Sequence, residues 1–206
     1  MKIKENIIYA VIFTFIFSFI FVFILSLTNQ ITKDRINKNF ELFQRKAILN
    51  AMKIRYDGDN DAYNKFDKEI TKSIVDNNTI FESSANSKKI YAVIITGNGL
   101  WGTITGVIAL NSSITKIIGI DFISHSETPG LGGRIDEDWF KKQFDGEKIN
   151  NSKITFDTSG EGKGEYSPNN GVVDSISGAT RTSQFLEIII NKYIKIMSEL
   201  KEDGKL

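Results

Sequence analysis

The stretch Lys89–Ser124, KIYAVIITGNGLWGTITGVIALNSSITKIIGIDFIS, decides the fold of this chain. It contains three short runs rich in β-branched residues, IYAVIIT, TITGVIAL and ITKIIGIDFIS, with the turn-forming groups GNG and NSS between them. Such runs, bounded by Gly, Asn and Ser, are typical of strands joined by short turns. We therefore predict three consecutive antiparallel strands.

The first turn also matches the letters of a dinucleotide-binding fingerprint. Gly97–Gly102 reads G-x-G-x-x-G, follows a predicted strand and has Asp121 about 20 residues further on. That fingerprint needs a helix directly after the glycines, because the helix N-terminus holds the pyrophosphate. The run that follows, TITGVIAL, is β-branched and alternating, so we predict a β-hairpin instead.

The rest of the soluble part supplies helices to cover this sheet. Glu137–Phe144 (EDWFKKQF) predicts a short helix, Ile154–Asp157 a further strand, and Ser183–Leu200 a C-terminal helix with one apolar face. Residues 53–88 are polar without a sustained period, which predicts loops with short elements. The expected fold class is α+β, an antiparallel sheet with packed helices, preceded by one N-terminal transmembrane helix.

The N-terminal run Ile7–Leu27, IIYAVIFTFIFSFIFVFILSL, contains no charged residue. At about 1.5 Å per residue, a helix of this length crosses the roughly 30 Å hydrocarbon core of a bilayer. A cleaved signal peptide is the alternative, but the run is longer than a usual signal core and no A-x-A site follows it. We expect an uncleaved anchor in the lipid bilayer, whose orientation the flanking charges do not decide.

These patterns divide the chain into three segments. Residues 1–28 are the predicted anchor. Residues 29–52 are a predicted linker helix, because Ile31–Met52 places its apolar residues mostly three and four positions apart. Residues 53–206 are the predicted soluble domain.

The composition excludes several classes of function. The chain has no Cys, which removes iron–sulfur ligation, disulfides and thiolate catalysis, so any redox chemistry must come from a bound group. A metal site or a Ser-His-Asp relay would have to rest on the single histidine, His125, and we expect a surface or hydrogen-bonding histidine instead. A net charge of +1 provides no broad basic face, so we set nucleic-acid binding aside.

One chemically dense segment is Asp174–Ser183, DSISGATRTS. Its small residues precede the C-terminal helix together with four hydroxyls, those of Ser177, Thr180, Thr182 and Ser183. The unpaired amides and the dipole at a helix start make a ready phosphate site. The alternative is a plain N-cap in which Thr182 or Ser183 satisfies the first-turn amides.

The other dense segment is His125–Gly133, HSETPGLGG. It supplies Glu127 and Thr128 as polar groups, and then Leu131 between glycines that would let a planar ligand approach. The alternative is a turn-rich loop without a ligand.

Together these sequence motifs resemble those of a known family. The sequence SGAT after an aspartate, ETPGLG at residues 127–132, the GNGLWG turn and the N-terminal anchor are similar to the FMN-binding domain that two proteins share. These are the NqrC subunit of the sodium-translocating NADH:quinone reductase and the RnfG subunit of the Rnf ferredoxin:NAD oxidoreductase. Leu100 and Trp101 make the likeness closer to the quinone-reductase protein.

The resemblance implies a covalent cofactor. In this family the threonine of SGAT, here Thr180, is esterified by the phosphate of FMN. A further set of residues would bind the same cofactor: Ser177, Gly178 and Ala179 in the attachment turn, Thr182 on the phosphate, Glu127, Thr128, Leu131 and Trp101 near the ring, and Lys163 at the place of a family lysine near the flavin.

The resemblance also implies partners and a location. The chain would be an electron-carrying subunit of a membrane redox complex, of the quinone-reductase type or the Rnf type, or else a free-standing flavinylated carrier. Thr180 has no neighbouring His or Lys in the sequence to activate it, and the family relies on a separate flavin transferase. The family places the flavin domain on the outer face of the cytoplasmic membrane.

Two other classes of function stay open at this point. One is a membrane-tethered binding module without redox activity, in which SGAT is only a helix cap. The other is a hydrolase that uses Glu127 and Asp174 as paired carboxylates, although no motif brings these two together.

Overall fold

The computed structural model describes residues 2–83, 89–158 and 170–206. It divides the chain into two units, Met1–Glu41 and Leu42–Leu206, which are described separately.

The first unit is the greater part of one long helix, α1, which spans Lys2–Ala51. Every side chain from Ile7 to Leu27 is exposed, although the run consists almost entirely of large apolar residues. Within the described residues, α1 is one helix that is long and apolar enough to cross a membrane by length and composition. The predicted long apolar helix at the N-terminus is confirmed.

The second unit is built on a five-stranded antiparallel sheet whose strands follow one another in chain order. They are β1 (Ile70–Val75), β2 (Asn78–Ser83), β3 (Ile90–Asn98), β4 (Thr103–Asn111) and β5 (Ile117–Ser124). The three strands predicted from Lys89–Ser124 are confirmed, and so is the α+β class. At the β3–β4 turn, Asn98 pairs with Thr103, and the amide of Gly99 donates to the carbonyl of Gly102 at 2.7 Å. The G-x-G-x-x-G match is therefore a hairpin.

The described residues 53–83 contain more regular structure than the sequence of 53–88 predicts, and residues 84–88 lie outside the described part. The helix α2 (Gly58–Glu69) leads into the β1–β2 hairpin, which turns through Asp76 and Asn77 at φ values of 46° and 66°. The prediction of loops with short elements was wrong here because the usual signals are weak. Ala62 is the one buried residue of α2, and β1 is exposed at four consecutive positions.

Helices cover both faces of the sheet. On one face lie a short 3-10 helix (Gly132–Asp136), α3 (Asp138–Lys142) and the C-terminal helix α4 (Thr180–Glu202). On the other face lie α2 and five buried residues at the end of α1 and just after it: Ala47, Ile48, Leu49, Ala51 and Met52. A Cβ on Gly97 of β3 would lie 2.5 Å from Cγ1 of Ile189, so the missing side chain lets α4 approach the strand closely.

A small parallel sheet connects the core to the start of α4. It consists of β6 (Thr155–Asp157) and β7 (Val172–Asp174), so the strand predicted at 154–157 exists but does not join the main sheet. The side chain of Gln143 accepts a hydrogen bond from the Asp174 amide through Oε1 at 2.7 Å. It donates one from Nε2 to the Asp174 carbonyl at 3.3 Å. This pairing fixes β7, which leads directly into the turn before Thr180.

The helix α4 begins three residues before the predicted Ser183. Gly178 adopts a positive φ of 76°, and Ala179, with φ −131°, is the N-cap residue. Thr180 is therefore the first residue of the helix rather than part of a preceding loop. The helix predicted at Glu137–Phe144 is shorter than expected and covers Asp138–Lys142.

Candidate functional site

The two chemically dense segments meet at one cavity of about 270 Å³. Three parts of the fold contribute to it: the β3–β4 turn, the loop after β5 and the first turn of α4. The lining residues are Leu100, Trp101, Glu127, Thr128, Leu131, Gly132, Gly178, Ala179, Thr180, Arg181 and Thr182. Of the predicted site residues, Ser177 lies outside this lining, and Lys163 lies outside the described residues.

The start of α4 is open toward the cavity. Thr180 is exposed at the first helical position, and the N-cap residue Ala179 makes no side-chain cap hydrogen bond. The first amides of a helix have no partners within the helix. Together with the positive end of the helix dipole, they favour an anion at this position.

The hydroxyls that could have capped this helix are bound elsewhere. Thr182 donates from Oγ1 to Oε2 of Glu127 at 2.6 Å. Ser183 donates from Oγ to the Ala179 carbonyl at 3.2 Å and accepts the amide of Ile176 at 3.0 Å. The plain N-cap, in which Thr182 or Ser183 satisfies the first-turn amides, is therefore not what the structure contains. Because the Thr182 hydroxyl is occupied, this residue can bind an anion only through its backbone amide.

Glu127 joins the three parts of the site from within the wall of the cavity. Its Oε1 accepts the amides of Leu100 at 2.9 Å and Trp101 at 3.1 Å, while its Oε2 accepts from Thr182. The residue is only 4% exposed. The carboxylate therefore binds protein groups on both sides, which its sequence position alone did not indicate.

Two glycines make room for this carboxylate. A Cβ on Gly99 would lie 2.5 Å from Oε1 of Glu127, and one on Gly132 would lie 2.5 Å from Oγ1 of Thr182. These distances are too short for any real side chain. Gly132, which the sequence pattern indicated as access for a planar ligand, thus also has a packing role.

The rim of the cavity is apolar and exposed. Trp101 is 69% exposed, Leu100 47% and Leu131 45%. Large apolar side chains that converge on a concave site are typical of binding surfaces. Arg181, which sequence reasoning missed, also lines the cavity. A cation in the first turn opposes the helix dipole, and that local conflict was the available signal.

His125 stabilises the loop after β5 through hydrogen bonds. Its Nδ1 accepts the amide of Glu127 at 3.1 Å, and its Nε2 lies 2.9 Å from Oδ2 of Asp136. No group of three or more His, Cys, Asp or Glu suited to a metal ion occurs in the part of the chain that the structure describes. This geometry matches the hydrogen-bonding role expected for His125.

Comparison with known proteins finds a family profile that matches the part of the chain around this site. The sequence profile described as "FMN-binding domain" matches residues 99–195, which span from the β3–β4 turn into α4. Residues 99–195, just under half of the chain, are similar to FMN-binding domains.

Several curated proteins similar to this chain are the same component, NqrC, of one type of reductase. NqrC of the Na(+)-translocating NADH-quinone reductase of Neisseria meningitidis serogroup A is 34% identical over 119 residues, covering 52% of this chain and 44% of that protein. Its counterpart in Pseudomonas aeruginosa is 31% identical over 109 residues, covering 48% and 40%. The chain thus spans less than half the length of these relatives.

Solved structures share the fold. The NqrC protein of Parabacteroides distasonis, from the same type of reductase, superimposes with a TM-score of 0.62 at 24% identity, covering 78% of this chain and 91% of that one. The NqrC protein of Shewanella oneidensis gives 0.61 at 18% identity, covering 77% and 93%. The architecture of the second unit is therefore that of known NqrC structures.

The residues of the FMN-binding domain fit a phosphorylated flavin. The uncapped start of α4 offers amides for a phosphate, and the apolar rim offers a surface for a flat ring. Gly178 fits the turn before Thr180 because its positive φ disfavours any side chain.

The paired-carboxylate hydrolase finds no support in this geometry. Asp174 lies on β7 and is not among the residues that line the cavity. The carboxylate of Glu127 is occupied by two amides and one hydroxyl. Neither residue is arranged as an acid or base toward a shared substrate.

Proposed function

We propose that this chain is an electron-carrying subunit that holds FMN as a phosphoester on Thr180, in a membrane redox complex of the NADH:quinone reductase type. One observation carries the proposal. Thr180 is an exposed hydroxyl residue at the uncapped start of α4, inside a cavity with an apolar rim.

The phosphate end of the cofactor would lie at the first turn of α4. The amides of this turn and the helix dipole stabilise negative charge there. Arg181 adds a positive side chain to the same cavity. An ester on Thr180 would thus place the phosphate where several groups of this chain favour it, without a phosphate-binding loop.

The ring would lie against the apolar rim formed by Leu100, Trp101 and Leu131. These side chains exclude water from one side of a flat ligand, and Trp101 offers a large aromatic surface. Bound FMN supplies electron transfer, and the protein contributes position and electrostatics.

Attachment would need a separate enzyme. Glu127 and Arg181 are the titratable side chains that line the cavity, and the carboxylate of Glu127 already accepts three hydrogen bonds. Neither can readily take the proton of the Thr180 hydroxyl. A flavin transferase that moves FMN onto Thr180 is therefore part of the proposal.

The N-terminal helix would anchor the domain in the lipid bilayer. Ile7–Leu27 is exposed and apolar all round, as expected for a helix that faces lipid. We place the FMN domain on the outer side of the cytoplasmic membrane, by resemblance to the family. The division into an anchor at 1–28, a linker helix at 29–52 and the FMN domain at 53–206 is part of the same proposal.

The other members of the complex would be further partners. The NqrC identity of the relatives in Neisseria and Pseudomonas favours the quinone-reductase type. An Rnf-type complex or a free-standing carrier would share the chemistry of this domain and differ in the chains that co-purify with it.

The test is covalent flavin on denatured protein. The full chain would be co-expressed with a flavin transferase and analysed by intact mass and in-gel flavin fluorescence, as wild type, Thr180→Ala and Thr71→Ala. We expect one FMN on the wild type and on Thr71→Ala, and none on Thr180→Ala. The control Thr71→Ala removes an exposed threonine hydroxyl on β1 that does not line the cavity. If the wild type stays unmodified while the transferase modifies another substrate, the chain is a membrane-tethered module without this cofactor.

A further inference from the structure

We propose that Glu127 is the positioning residue of this site: its buried carboxylate holds the turn of Trp101 against the helix start of Thr180 and gives the cavity wall a fixed negative charge. This inference rests on the proposed function, because it assigns the charge a role toward the flavin. The holding role itself concerns groups of this chain alone.

The holding role follows from which segments the carboxylate joins. Leu100 and Trp101 lie 27 and 26 positions before Glu127, and Thr182 lies 55 positions after it. One carboxylate thus hydrogen-bonds the β3–β4 turn through one oxygen and the first turn of α4 through the other. The Glu127 side chain therefore fixes the position of the apolar rim at Leu100 and Trp101 relative to Thr180 at the start of α4.

The steric environment supports the same role independently. Gly99 and Gly132 would each place a Cβ within 2.8 Å of a carboxylate oxygen of Glu127. The two glycines belong to different segments, yet both leave space for one functional group. His125 completes the arrangement because it binds the backbone amide of Glu127.

The charge follows from the kinds of partner. The two amides can only donate, and the Thr182 hydroxyl donates to the other oxygen, which fits an ionised, acceptor-only carboxylate. Within residues 2–83, 89–158 and 170–206, no ion pair to Glu127 occurs that would neutralise it. The carboxylate itself is buried, so water screens its negative charge less and the charge acts more strongly on its neighbours. It makes the addition of an electron to a bound flavin less favourable.

The holding role can be tested on protein without cofactor by amide hydrogen exchange of the full chain in detergent. In Glu127→Ala, we expect the amides of Leu100 and Trp101 to exchange roughly 10-fold to 100-fold faster, because each loses a bond to a charged acceptor. The amide of Gly99 is the internal control, since it binds the Gly102 carbonyl. Unchanged exchange at Leu100 and Trp101 would overturn the holding role.

Two further variants keep this test decisive if Glu127→Ala does not fold. Glu127→Asp retains the charge but shortens the arm, so it should also release the two amides. Glu127→Gln retains the arm length, an acceptor for both amides and a donor for Thr182, so the two amides should keep most of the protection that Glu127→Ala loses. If the Leu100 and Trp101 amides lose protection equally in Glu127→Gln and Glu127→Asp, the length of the Glu127 side chain does not determine these bonds.

The charge is tested by the midpoint potential of flavinylated protein. Glu127→Gln removes the negative charge while keeping the hydrogen-bonding shape, so the potential should become more positive. Glu199→Gln, an exposed carboxylate near the other end of α4, is the matched control and should match the wild type. Equal potentials for Glu127→Gln and wild type would overturn the electrostatic role.

The two proposals fail in different ways. If the wild type never accepts FMN, the proposed function is wrong, while hydrogen exchange still decides whether Glu127 holds the turn. If the wild type is flavinylated but Glu127→Gln and Glu127→Ala behave like it in both measurements, the function stands and the role of Glu127 is wrong.

Discussion

At the scale of single residues, the site depends on where side chains are absent as much as on where they are present. Gly97 admits the side chain of Ile189, while Gly99 and Gly132 admit the carboxylate of Glu127. The GNGLWG turn, which matched a dinucleotide motif by its letters, thus has a steric explanation at its first two glycines. A motif of this kind can be interpreted only once the group that fills each gap is known.

We predict that Gly99→Ala destabilises the domain by about 1–3 kcal/mol, because the new methyl group would force the carboxylate of Glu127 out of its position. Urea unfolding monitored by circular dichroism would measure the loss. Asn98→Ala, at the exposed neighbouring position, is the control and should change stability by less than about 0.5 kcal/mol. Equal stability of the two variants would mean that the turn adapts freely.

The sequence identified the residues of the site better than their roles. Thr180, Trp101 and Leu131 could be named from short motifs and the resemblance, and the structure brings them to one cavity. The hydrogen bonds of Glu127 could not be predicted in the same way, because its partners lie 27 and 55 positions away. Contacts at such separations depend on the packing of the whole domain.

At the scale of elements, the β-branched strands β3, β4 and β5 were predictable and the polar segment before them was not. Strand β3 buries Tyr91, Ala92, Val93 and Ile95 and has a clear turn at its end. The helix α2 and strand β1 bury few residues, so their sequences lack the periodic signal on which prediction rests. The helix α2 and strand β1 are instead stabilised by tertiary contacts with the sheet and with residues 47–54.

The contact between α4 and β3 gives a prediction for a pair of substitutions. Gly97→Ala should destabilise the domain, because its Cβ would lie 2.5 Å from Cγ1 of Ile189. Ile189→Ala should also destabilise it, by about 2–5 kcal/mol, through the cavity it leaves. The double variant should be more stable than the sum of the two effects implies, by about 0.5–3 kcal/mol. Strict additivity in denaturant unfolding would contradict a direct contact.

The small sheet before α4 gives a second prediction at this scale. Gln143→Ala removes both side-chain bonds to the backbone of Asp174, so the domain should lose about 1–3 kcal/mol of stability. Hydrogen exchange should show the Asp174 amide losing its protection. Lys142→Ala, at the exposed neighbouring position, serves as the control and should leave that amide protected.

At the scale of the whole molecule, the end of α1 is part of the core of the second unit. Ala47, Ile48, Leu49, Ala51 and Met52 are each at most 2% exposed and pack beneath the sheet. The sequence showed an apolar stripe here, but a stripe alone does not reveal what covers it. The helix therefore contributes to folding as well as to the proposed anchoring.

This arrangement predicts where the chain can be shortened. A variant that begins at Leu42 should be soluble and cooperatively folded, whereas one that begins at Lys53 should be unfolded or strongly destabilised, because it lacks those five buried residues. Circular dichroism and thermal unfolding of the purified fragments would distinguish them. Equal stability of the two fragments would show that the FMN domain proposed at 53–206 is self-sufficient.

The buried bonds of Glu127 have a consequence for the order of events during maturation. Because the Glu127 carboxylate accepts the Leu100 and Trp101 amides and the Thr182 hydroxyl, this part of the cavity wall is held together by groups of the polypeptide itself. Under the proposed function, newly made chains would therefore accumulate as an unmodified precursor with Thr180 already exposed. The supply of flavin and of the attaching enzyme, rather than folding, would then set how quickly working subunits appear.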